Sequence, residues 1–207
     1  MPKNDYWKLS AYESAKLIKD GSITAEDLVS SCIERVNQTN NKINAIVDDL
    51  SVSALEKAHE LDKLTKKGKF KGPLHGVPIT IKENIDQKGY ATPNGLEALK
   101  NLIAPGNAPV VDNLEKDGAI VIGRTNTPEF SMRGTTDNVI HGRTYNPWND
   151  WASPGGSSGG ASAAVMSGMG SLAHGNDIAG SLRIPSTATG ACTVKPGLGR
   201  VPAYNPS

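Results

Sequence analysis

Three stretches of the chain hold residue types able to act on a carbonyl group. The first is Asp177-Ile-Ala-Gly-Ser181-Leu-Arg-Ile-Pro185, a serine preceded by small residues whose backbone amides can lie close together and unobstructed. Negative charge gathers on the carbonyl oxygen during acyl transfer, and each well-aimed amide lowers the barrier by about 2.7–4 kcal/mol. Taken alone, this stretch suits an ordinary turn between helix and strand equally well, with Arg183 on the surface. The second is Ser153-Pro-Gly-Gly-Ser-Ser-Gly-Gly160, in which glycines frame two serines. A flexible linker is the competing reading, but a linker has no reason to run straight into Ala161-Ser-Ala-Ala-Val165. The third is Lys82, which ends the apolar pattern of Gly76-Val-Pro-Ile-Thr-Ile-Lys-Glu-Asn-Ile85. Burial lowers a lysine's pKa, and a neutral lysine accepts a proton where other enzymes use histidine; left in solvent, it is only a surface charge.

A different serine chemistry also matches one of these stretches. Gly155-Gly-Ser157-Ser-Gly159 satisfies G-x-S-x-G, the nucleophile elbow of α/β-hydrolases, which needs an acid and then a histidine later in the chain. The histidines are His59, His75, His141 and His174. Only His174 follows Ser157, and Asp177 comes after it rather than before, so the elbow reading fails within these residues.

The elements that must hold these residues can be read from periodicity. Ser10-Ala-Tyr-Glu13 is a capping-box pattern that starts one helix, and Thr24-Ala-Glu-Asp27 starts a second. In the second, Leu28, Val29, Cys32, Ile33 and Val36 recur at helical spacing, which makes Cys32 a packing residue rather than a reactive thiol. A third helix fits residues 51–66, with a stripe of Leu55, Ala58, Leu61 and Leu64. The lysine-rich stretch Lys63–Lys71 closes it and reads as solvated surface. From residue 73 the pattern changes to turn chemistry, then a strand over Ile79–Lys82, a helix over Val110–Lys116, a strand over Ala119–Ile122 and a small-residue helix over Ala161–Met166. This alternation predicts an α/β fold: an α/β/α sandwich around a mixed, largely parallel sheet.

Composition narrows the functional classes. The 207 residues carry 22 basic and 21 acidic side chains, a net charge of +1, which argues against a dedicated nucleic-acid or membrane-surface binder. No run approaches the roughly 18 apolar residues needed to span a bilayer, and the start lacks the apolar stretch of a secretory signal. A soluble, cytoplasmic protein is the expectation. Cys32 and Cys192 lie too far apart in the chain for a CxxC zinc site and make no disulfide framework. A chain of this length can bury about 70% of its unfolded surface, enough for one real core.

Taken together, the order and spacing of the three stretches resemble the amidase signature family of serine hydrolases. Lys82 and Ser157 are 75 positions apart, and Ser157 and Ser181 are 24 apart, both typical of that family's lysine, cis-serine and nucleophilic serine. Arg124-Thr-Asn-Thr-Pro-Glu-Phe130 and Tyr145-Asn-Pro-Trp148 resemble segments that the family places before its glycine-serine loop. The resemblance implies Ser181 as nucleophile, Ser157 as bridging serine after a cis peptide, and Lys82 as base. It implies an oxyanion hole from the amides of Ile178, Ala179, Gly180 and Ser181, a substrate contact at Ser131, and supporting roles for Asp177 and Arg183. No metal or cofactor is implied. Ala179 stands where the family often has a second glycine, and Thr193-Val-Lys-Pro-Gly197 departs from the usual Gly-Leu-Lys-Pro-Thr; Cys192, in that altered stretch, is expected to pack.

The implied activity is hydrolysis of a small-molecule carboxylic amide to the acid plus ammonia or amine. The alternatives are the glutaminase subunit of a tRNA-dependent amidotransferase, and a non-catalytic or partner-completed half. Family members continue well beyond the nucleophile, whereas this chain runs 26 residues past Ser181. The expectation is therefore the N-terminal portion of a single amidase signature domain over 1–207, a fragment or truncated product whose sheet is incomplete on the C-terminal side. Residues 1–70 would be its mainly helical segment and 71–207 its catalytic core, and a homodimer or a complementing C-terminal half would be its protein partner.

Overall fold

The computed structural model describes residues 1–207. Helix α1 (Ala11–Lys19) begins at the capping box: Ser10 Oγ accepts the Glu13 amide at 3.2 Å, and the Glu13 carboxylate accepts the Ser10 amide at 2.9 Å. Thr24 caps α2 (Ala25–Ile43) in the same way, its hydroxyl accepting the Asp27 amide at 2.9 Å. A second cap reaches α2 from a distance. Asp62, buried on α3 (Ser51–Thr65), accepts the amides of Ala25 at 2.8 Å and Glu26 at 3.0 Å, which locks the two helices together at one end. No helix is long and apolar enough to cross a membrane.

Strands β1 (Ile46–Asp49), β2 (Pro78–Lys82), β3 (Ile120–Thr125) and β4 (Leu172–Ala173) form one sheet in the order β1-β3-β2-β4. β2 runs parallel to β3 and β4, while β1 is antiparallel to β3. Side chains alternate across the central strand as pleating demands. Ile120 and Ile122 pack into the cluster of Leu28, Val29 and Cys32 from α2 and Ala58 and Leu61 from α3. Val121 joins Ile79, Ile81 and Val111, the last from α4 (Pro109–Lys116), in the second cluster. The fold is the expected α/β sandwich around a mixed sheet. Helix α5 (Gly159–Met166) follows the glycine loop and α6 (Arg183–Thr189) follows Ser181.

Three features depart from the sequence reading. Nothing in the sequence pattern announces β1 or β4: β1 carries Asp48 and Asp49 on a partly exposed edge, and β4 has two residues, so neither shows an apolar run. β3 continues through Gly123-Arg124-Thr125, beyond its apolar residues, because Arg124 is fully buried and paired rather than solvated. Helix α6 stands where the sequence suggests a turn, because Pro185 occupies the first helical turn, where its missing N–H costs no hydrogen bond. The lysines of Lys63–Lys71 are exposed as expected, and Cys32 is buried.

Candidate active site

Lys82 is the last residue of β2 and is completely buried. Its position is set by the loop that follows. The Glu83 amide donates to the Thr125 carbonyl at 3.0 Å, and the guanidinium of Arg124 donates to the carbonyls of Glu83 at 2.8 Å, Ile85 at 3.1 Å and Ala91. The same guanidinium pairs with Asp48 on β1 at 2.8 Å. One buried cation thus ties the edge strand to the turn leaving the lysine.

The glycine loop is threaded through a space that admits no side chain. A Cβ on Gly156 would lie 2.5 Å from the carbonyl oxygens of both Arg133 and Thr135. The peptide bond between Gly156 and Ser157 is cis. Ser157 is buried, with its carbonyl accepting the Thr127 hydroxyl at 3.2 Å. Lys82 Nζ lies 2.7 Å from Ser157 Oγ, 3.1 Å from Ser158 Oγ and 2.7 Å from Asn176 Oδ1. Burial pushes the Lys82 ammonium down to about 7, against a smaller opposing pull from the Glu83 and Asp177 carboxylates. Beside it, burial together with the Lys82 charge pushes His174 down to about 4, so this imidazole is neutral at pH 7.

Ser181 lies between Gly180 and α6, and the Ser158 amide donates to its carbonyl at 3.1 Å. This backbone contact brings the second serine stretch to the first. The Ser181 and Ser157 side chains line one cleft of about 1350 Å³, although no hydrogen bond joins their hydroxyls. The Asp177 carboxylate is buried and accepts the amides of Gly180 at 2.8 Å, Leu182 at 3.2 Å and Arg183 at 3.3 Å, and two further bonds from the Arg183 guanidinium at 3.0 Å. The Arg183 side chain, then these amides, hold the Asp177 carboxyl well below the usual carboxylate range. Arg183, itself mostly exposed, therefore locks the turn that carries Ser181.

Two expectations need correction here. Gly180, expected among the oxyanion donors, gives its amide to Asp177, so the amides of Ile178, Ala179 and Ser181 are the ones without a partner in the chain. Cys192 is exposed on the rim of the cleft rather than packed, because the stretch around it forms no helix or strand. Ser131 also lines the cleft, and its hydroxyl is held by Asn84, Asn94 and Thr127 at 3.0, 2.8 and 2.9 Å. Both Phe130 and Ser131 have positive φ, 52° and 56°, a left-handed backbone that non-glycine residues adopt at a cost and that recurs at functional sites. No three His, Cys, Asp or Glu side chains come together as a metal cluster.

Sequence reasoning missed Asn176, Ser158, Asn84 and Arg124. Ser158 carried a signal as the second serine of the glycine loop and Arg124 as the first residue of a family-like segment; Asn176 and Asn84 become visible only when separate stretches meet. A family profile described as Amidase matches residues 27–206. The chain belongs to the amidase family. It is 54% identical over 206 residues to an indoleacetamide hydrolase of Bradyrhizobium diazoefficiens, covering 100% of this chain and 39% of that protein. It is 44% identical over 200 residues to an acylamidase of Rhodococcus erythropolis, covering 97% of this chain and 42% of that one. A glutamyl-tRNA(Gln) amidotransferase component of Natranaerobius thermophilus is 38% identical, with 95% of this chain and 40% of that one covered. The chain thus spans about two fifths of the length of the curated amidase relatives it matches. Among solved structures, it superposes on fatty acid amide hydrolase with a TM-score of 0.88 and 32% identity, over 91% of this chain and 34% of that one. A bacterial aryl acylamidase of the amidase signature family gives 0.82 and 35%, over 87% and 38%.

Proposed function

We propose that this amidase-family chain hydrolyses a carboxylic amide through a seryl acyl-enzyme, with Ser181 as nucleophile, Ser157 as proton bridge and Lys82 as base. The observation that carries the reading is a fully buried lysine 2.7 Å from Ser157, on the same cleft as Ser181. A serine hydroxyl is a poor nucleophile until a base removes its proton. Ser181 Oγ forms a bond to the amide carbon while its proton passes to Ser157, and the Ser157 proton passes to Lys82. The developing oxyanion takes hydrogen bonds from the amides of Ile178, Ala179 and Ser181. The C–N bond then breaks as the proton returns through Ser157 to the departing amine. Water repeats the route, giving its proton to the pair, attacking the ester and releasing the acid.

The cleft is lined by Ile79, Ile85, Val110, Leu114 and Leu172 among other apolar side chains, which favours a small amide with an apolar acyl group. That lining speaks against glutamine, and so against the glutaminase alternative. The free thiols Cys32 and Cys192 suit a reducing, cytoplasmic compartment. We take residues 1–207 as the N-terminal portion of one amidase signature domain, with residues 1–70 integral to it, since β1 pairs with β3. A second copy or a complementing C-terminal half is the protein partner we propose for it. The test is ammonia release from a panel of aryl- and alkyl-substituted primary amides and from glutamine. Turnover of the apolar amides that is abolished in Ser181→Ala and reduced at least about 100-fold in Lys82→Ala supports the reading. Unchanged turnover in Ser181→Ala contradicts it.

A further inference from the structure

The hydrogen bonds around Lys82 determine where its lone pair points. As a neutral amine Lys82 has two N–H bonds and one lone pair, to be shared among the Oγ atoms of Ser157 and Ser158 and Asn176 Oδ1. Asn176 Oδ1 is a carbonyl oxygen and only accepts. Ser158 Oγ donates its single proton to the Asn176 main-chain carbonyl at 3.2 Å and accepts the Asn176 amide at 3.3 Å, so toward Lys82 it too can only accept. Both N–H bonds are therefore committed, and the lone pair is left facing Ser157.

The orientation of the Asn176 side chain is fixed in turn. Its Nδ2 donates to Asn84 Oδ1 at 3.2 Å, Asn84 Nδ2 donates to Ser131 Oγ at 3.0 Å, and Ser131 Oγ donates to Asn94 Oδ1 at 2.8 Å. Flipping either amide would set two donors or two acceptors against each other. As the side chains stand, the chain of bonds runs from Lys82 through Asn176 and Asn84 to Ser131 at the wall of the cleft.

We propose that Asn176 is a positioning residue that, with Asn84 behind it, aims the Lys82 lone pair at the Ser157 hydroxyl. This rests on Lys82 acting as the base, and it assigns the direction of the first proton transfer to a residue outside the reacting trio. The other titratable or charged groups around Lys82 are Glu83, Asp177 and His174. Glu83 is held by His141 at 2.9 Å and Asp177 by Arg183, while His174 has a buried Nδ1 without a partner.

The test measures Lys82 itself by nitrogen-15 NMR of the side-chain amine in the full chain, assigned by difference from Lys82→Arg, in the parent, Asn176→Asp and Asn176→Leu. A carboxylate in the place of Oδ1 favours the ammonium, so Asn176→Asp raises the Lys82 midpoint by about 1–3 units, and Asn176→Leu lowers it by removing an acceptor of the charged form. Where amide turnover is measurable, Asn176→Leu loses about tenfold or more in kcat at pH well above its midpoint, where every Lys82 is already neutral and only the aim of the lone pair differs. A midpoint that stays near 7 in Asn176→Leu would show that Oδ1 takes no N–H from Lys82, and that result overturns the proposal; Asn176→Asp, the near-isosteric variant, shows that the variant chain still folds around Lys82. The midpoint is read without turnover, so loss of amidase activity in the parent would count against the catalytic reading and not against this one.

Discussion

Lys82 is stored at a cost to the fold. Its ammonium is buried without a carboxylate in direct contact, so its midpoint falls from 10.5 to about 7, and in the native state it holds its proton less tightly than in the unfolded chain. The sign of the pH dependence follows. Below pH 7 both states are protonated and the native state bears the full burial penalty. Between pH 7 and 10.5 only the unfolded chain keeps the proton, so native stability rises with pH through this window. The parent should therefore gain stability relative to Lys82→Met between pH 7 and 10 in urea titrations, with other groups cancelling in the comparison. A difference that stays flat over that range would mean that Lys82 is charged at neutral pH and cannot accept the Ser157 proton. Cys32 and Cys192 form a second contrast at this scale. Burial pushes the Cys32 thiol up to about 12, whereas Cys192 is exposed. One thiol should react with an aromatic disulfide reagent in the native chain and two after denaturation; two fast-reacting thiols in the native chain would contradict the packing of α2.

At the level of elements, the turn after β2 depends on Arg124. Replacing it with methionine leaves the buried Glu83 carbonyl and its neighbours at Ile85 and Ala91 without a donor and leaves Asp48 unpaired. Arg124→Met should therefore lose about 3 kcal/mol or more in urea unfolding. A loss below about 1 kcal/mol would show that these carbonyls find other partners. The sequence made the helices legible because their caps are local: Ser10 with Glu13, and Thr24 with Asp27, are each three residues apart. β3 could be read only as far as its apolar residues, since nothing local announces that Arg124 is neutralised by Asp48, 76 positions away. That Lys82, Ser157 and Ser181 come to one place was legible through spacing and resemblance; that they react is our proposal. Asn176 and Asn84 were not, because an asparagine is informative only once its partners are known, and these two are 92 positions apart. Gly180 misled for a related reason: a small residue before a serine looks like a free amide until Asp177 folds back onto it.

The molecule as a whole works by convergence. β2 delivers Lys82, the loop before α5 delivers Ser157, and the turn before α6 delivers Ser181, while Arg124 and Arg183 hold two of these three approaches in place. Ser157 and Ser181 line one largely apolar cleft, and burial beside Ser157 brings the Lys82 midpoint down to about 7. In the mechanism we propose, Ser181 is the nucleophile and Lys82 drives it through Ser157. Its most direct test is to treat the chain with a fluorophosphonate across pH 5 to 9 and to map the adduct by peptide mass spectrometry. The expected result is a single adduct on Ser181 that forms faster as pH rises through about 7 and is lost in Lys82→Ala. An adduct on Ser157, or a Ser181 adduct whose rate ignores both pH and Lys82, would contradict it.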